Sequence, residues 1–107
     1  MAFFDSEIVQ KEAQSIFADY QNLLQLGTNY GKFDRAGKLL FIEQMESVLD
    51  RYAIFMKRME LSDDFMAQMN IKHLQTYLGN LGIDPRQMFN QMRATLAQMK
   101  QEIDRTP

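Results

Sequence analysis

Apolar residues return at helical spacing along almost the whole chain, and the only prolines are Pro85 and Pro107. That pattern predicts an all-α protein. Asp5 or Ser6 can cap a first helix, and Phe4 can staple onto Val9. Val9, Ala13, Ile16, Tyr20, Leu23 and Leu24 then form one stripe with Phe17 on the same side, and Gly27 offers a stop. Gly27 to Phe33 reads as a connecting loop. Asp34 opens a second helix running to about Glu60, with the clearest stripe in the chain: Phe41, Ile42, Met45, Val48, Leu49, Tyr52, Phe55, Met56 and Met59. Apolar positions at i, i+3, i+4 and i+7 are those of a buried helix face.

Two short helical segments are expected next. Ser62 caps the first, with Asp63 and Asp64 in its opening turn and Leu61 stapled onto Met66. Asn70 caps the second, which runs to Leu78 and ends between Gly79 and Gly82. The final start signal is the strongest. Asp84 caps, Pro85 takes the first helical position, Gln87 completes a capping box and Ile83 can staple onto Met88. This last helix should reach about Arg105. Phe89, Met92, Leu96, Met99 and Ile103 are spaced three, four, three and four, a short coiled-coil-like seam. The expected architecture is a single domain over residues 1–107. It comprises a long helical hairpin, two short helices and a long C-terminal helix, bundle-like and completed by oligomerisation. The long second helix would overhang a three-helix core of this size.

Composition narrows the function. Net charge is −2, so no overall field draws the chain to nucleic acid or anionic lipid. The absence of Cys removes disulfides, thiolate catalysis and Cys-ligated metals, and fits a reducing compartment. Unbroken apolar runs such as Leu39–Ile42 are far too short to span a bilayer. Asp5 and Glu7 stand where a secretory signal carries positive charge, which predicts a cytoplasmic protein. Eight of the nine methionines lie between Met45 and Met99. Methionine is flexible and polarizable, and suits surfaces that repack against partners.

Candidate chemistry is sparse. Gly27–Phe33 has three residues between its glycines, Phe after Lys32 and a helix before it, so it does not fit a phosphate-binding loop. Glu43 and Glu46 could share a helix face, but Asn70 stands three before the lone His73 where a di-metal bundle needs Glu. Ser6 and Ser62 are better used as caps than as nucleophiles. Asn70–Met92 faintly resembles a helix–loop–helix nucleic-acid module, with Lys72, Arg86, Arg93 and Lys100 nearby, yet these cations are scattered.

Several segments together carry a family resemblance. They are Phe3 to Val9, Asp19-Tyr20-Gln21 through Leu26-Gly27, Tyr30-Gly31-Lys32-Phe33-Asp34, Phe41 to Glu46, and Phe55 to Ser62. In this order and spacing they resemble a family of short helical proteins of unknown function found mainly in cyanobacteria, with relatives in marine cyanophages. The resemblance runs from about Ala2 to Ile103. It implies a cyanobacterial or cyanophage cytoplasm, and no particular activity, cofactor or site residue.

The resulting expectation is a non-enzymatic protein–protein interaction or regulatory adaptor protein, with no metal or cofactor. Its partners are a second copy of itself and another protein, with no membrane. The expected contact surface is Met88, Met92, Leu96, Met99 and Ile103, with the three methionines as a compact stripe on the last helix. A nucleic-acid regulator using residues 70–93, or an enzyme with an acidic metal site, are the competing readings.

Overall fold

The computed structural model describes residues 6–105, and among them the chain forms four α-helices and no strand. The helices are α1 (Glu7–Gly27), α2 (Arg35–Glu60), α3 (Phe65–Asn80) and α4 (Pro85–Arg105). Ser6 caps α1, its hydroxyl accepting from the Val9 amide, while Asp5 and the Phe4 staple lie outside the described residues. Asp34 caps α2 as expected, its carboxylate accepting from the Gly37 amide at 2.7 Å. Gly27 belongs to α1, and Thr28 is the C-cap. A Cβ on Gly27 would stand 3.1 Å from the Phe41 ring, so this glycine lets α2 approach closely.

α1 and α4 both run antiparallel to α2. The registers follow from their side-chain ties. Arg51 of α2 reaches Glu12, Ser15 and Asp19 of α1. Arg93 of α4 pairs with Asp50, and Lys100 lies 3.5 Å from Glu46. The last helix therefore folds back onto α2 within the same chain. The core is assembled along α2 from Ile42, Met45, Val48, Leu49, Phe55 and Met59, with Val9, Ile16 and Leu23 from α1 and Leu96 and Ile103 from α4. Ile42 is fully enclosed.

The region after α2 differs from the two short helices expected from the sequence. Phe65–Asn80 is one helix of 16 residues, and Asp64 rather than Ser62 caps it. The Asp64 carboxylate accepts from the Met66 amide, and the Ser62 hydroxyl accepts from the Asp64 amide. Asn70 lies inside the helix. Its weak helical preference costs only tenths of a kcal/mol, about 0.5. Continuity there buries Ala67 and Ile71 together. The Gln68 side-chain amide donates to the carbonyls of Glu60 and Ser62 at 2.9 and 2.7 Å, tying α3 to the end of α2. α3 ends in a Schellman turn. The Ile83 amide donates to the Leu78 carbonyl at 2.8 Å, and Gly82 takes the left-handed φ of +72° that the turn requires. Asp84 then caps α4 through the Arg86 amide.

The packing is open. The radius of gyration is 16.3 Å, against about 13 Å for a compact domain of this length. No described helix is long and apolar enough to cross a membrane.

Candidate functional site

Because α1 and α4 pack on opposite flanks of α2, a groove remains between them with α2 as its floor. It measures about 360 Å³ and is lined by Tyr20 and Leu24 of α1, Phe41 and Met45 of α2, and Met88, Gln91, Met92, Thr95, Leu96 and Met99 of α4. None of these ten residues is charged. Phe17, three before Tyr20 and seven before Leu24, continues the α1 rim one turn further. Tyr52, seven after Met45, continues the floor.

The inward position expected for Phe17 and Leu24 is not what the structure shows. They are 62% and 49% exposed, and Tyr52 is 39% exposed. Val9, Ile16 and Leu23 meet α2, whereas Phe17 and Leu24 lie on the side of α1 that α4 leaves uncovered. A helical stripe wider than its one neighbour is necessarily half dressed.

The five residues singled out on the last helix divide in a similar way. Leu96 and Ile103 are buried in the chain's own core, each 6% exposed. Met92 and Met99 are partly buried against that core, and Met88 is 42% exposed. Met88, Met92, Leu96 and Met99 all border the groove, while Ile103 does not. The groove residues that sequence reasoning assigned to an ordinary core are Tyr20, Leu24, Phe41 and Met45. The signal that could have found the rim was the run Phe17, Tyr20, Leu24 flanked by glutamines rather than by charges.

Aromatic rings close one end of the groove. Tyr30, Phe33 and Phe41 cluster with centroids 5.5 to 6.3 Å apart, and Lys38 lies over the Tyr30 ring. Burial raises the pKa of the Tyr30 hydroxyl, and the charge of Glu102 on α4 adds to the rise. Towards the other end Tyr52 stacks on Phe89, whose opposite neighbour is the Arg93 guanidinium at 4.7 Å. Desolvation likewise raises the Tyr52 hydroxyl. Both phenols stay neutral at ordinary pH.

The charges gather on the far side of α2. Hydrogen bonding to Asp19 is the largest cause of the upward shift of the Arg51 pKa, with Glu12 adding to it against the cost of burial. Arg93 and Lys100, two of the four cations considered for nucleic-acid binding, are matched by Asp50 and Glu46. Glu43 is exposed, and His73 is exposed on α3. Among the described residues no three His, Asp or Glu converge on a position that could hold a metal. A second depression, lined by Ala94, Ala97, Gln98, Gln101, Glu102 and Arg105, is the surface of α4 alone.

The groove thus offers apolar surface, four methionine thioethers, and hydrogen-bonding groups on Tyr20, Gln91 and Thr95, with no charged residue in its lining. That suits recognition of an apolar helix face. No curated protein and no solved structure matches the chain. A family model, a domain of unknown function (DUF1825), matches residues 1–103, and the chain belongs to that family.

Proposed function

We propose that this chain is a non-enzymatic protein–protein interaction protein, an adaptor that receives an amphipathic helix in the groove between α1 and α4. The observation that supports this reading is the chemistry of the groove. Ten uncharged residues line it in a chain with 26 charged side chains, counting 12 basic and 14 acidic. A helix laid there would bury apolar anchors one turn apart, with the Gln91 side-chain amide available to fix its register, while the Thr95 hydroxyl already donates to the Gln91 carbonyl. Methionine at four of the ten positions gives walls that adjust to the side chains they meet.

A photoreactive residue placed at Leu24 tests this in the native cell. The expected result is a discrete polypeptide adduct that disappears when Met92→Glu is added. The same probe at Ile54, exposed one turn beyond Asp50 and Arg51, should not give that adduct. No adduct at position 24, or one indifferent to Met92→Glu, overturns the reading.

A further inference from the structure

We infer that the occupant of the groove is a second copy of this chain, in a two-fold dimer whose groove faces close on one another. This rests on the reading of the groove as a helix-binding site and names the partner.

Area is the first argument. A compact monomer of 12.6 kDa exposes about 6,200 Å² by the usual scaling with mass. This chain exposes 7961 Å². The excess of roughly 1,800 Å² per chain is about twice the roughly 800 Å² that each partner contributes to a standard interface. The single chain therefore leaves uncovered more surface than a standard dimer interface takes from one partner.

Charge is the second argument. Like-charged surfaces repel when a patch meets its own copy, so a self-complementary face must be neutral or internally balanced. The groove lining is neutral throughout. Phe17, flanked by Gln14 and Gln21 at helical spacing, extends that neutrality along the α1 rim. The five ion pairs other than Lys11–Glu7 all tie α1 or α4 to α2, so they would not have to be broken.

Geometry is the third. α1 and α4 run in the same direction with the groove between them. A two-fold axis parallel to the helices would set α1 of each copy against, and parallel to, α4 of the other. Phe17, Tyr20 and Leu24 would then face Met88, Met92 and Met99 across the interface, twice. Tyr52 on the floor would become enclosed.

Sedimentation velocity on the purified full-length chain tests the inference. At tens of micromolar the expected species is twice the 12.6 kDa chain mass. Leu24→Glu and Met92→Glu should each weaken the dimer by about a hundredfold, since each buries an unpaired charge twice. Circular dichroism should show their helix content retained. Ile54→Glu should leave the dimer constant unchanged. As a second readout, Met88→Cys in this cysteine-free chain accepts a polarity-sensitive dye, whose emission should shift red on dilution through the dissociation range. A monomer at all concentrations overturns the inference, as does a dimer that survives both charge variants. A monomer whose position-24 probe still captures a different polypeptide in cells overturns only the second copy. A monomer with no adduct overturns the groove reading as well.

Discussion

α1 and α4 meet α2 along two sides that use different chemistry. On one side lie Arg51 with Glu12 and Asp19, Arg93 with Asp50, and Lys100 with Glu46. These are partly exposed ion pairs, each contributing about 0–1 kcal/mol and weakened by salt. On the other side lie Phe17, Tyr20, Leu24, Tyr52 and Met88, with no charge among them. Burying one such side chain fully is worth about 1.5–3 kcal/mol. The charged side is complete within one chain and orients the helices. The uncharged side has the larger stabilisation still unrealised. Register is thereby set on one face of α2, and the association proposed above would use the opposite face.

The strongest way to break both faces at once is Ile42→Ala, since Ile42 lies fully buried on α2 between them. A loss of about 3 kcal/mol is expected from transfer and cavity terms together, read as the shift in urea unfolding. Arg51→Ala acts on the charged side alone. It should cost about 1 kcal/mol at low salt and less in 1 M NaCl, while sedimentation reports no change in association. Phe17→Gln acts on the uncharged side alone. Unfolding of the dilute chain should move by less than about 0.5 kcal/mol, because the side chain is already mostly in water. Association should weaken about tenfold. Should Arg51→Ala prove the more damaging to association, the division of labour is wrong. The smallest effect belongs to α3. Asn70→Ala should stabilise the chain by about 0.5 kcal/mol if the residue is interior to one helix, where an N-cap would lose about 1 kcal/mol instead. Thermal unfolding separates the two signs.

Much of this architecture could be read from the sequence. The Ser6, Asp34 and Asp84 caps, the α2 stripe and the all-helical class follow from local chemistry that tertiary packing does not override. Other features depend on which neighbour arrives. Periodicity places Ile16 and Phe17 on one apolar arc, but only the position of α2 decides that Ile16 is covered and Phe17 is not. Leu96 and Met92 stand on one seam, yet the first enters the core and the second borders the groove. Ser62, Asp64 and Asn70 are all good caps by residue type. Ser62 and Asn70, read as two caps, made one helix look like two. The side chain of Gln68, reaching back across the turn, had no local signature at all.

That reach of Gln68 bears on how the chain tolerates change. A single amide nitrogen supplies the donor to both the Glu60 and the Ser62 carbonyl. Glutamate has nearly the same shape and no donor, so hydrolysis of this one amide would turn a strap into a wedge between two oxygens. The elbow between α2 and α3 thus depends on one neutral amide that even its nearest isostere cannot replace, whereas the opposite side of the molecule is held by several arginine and lysine pairs.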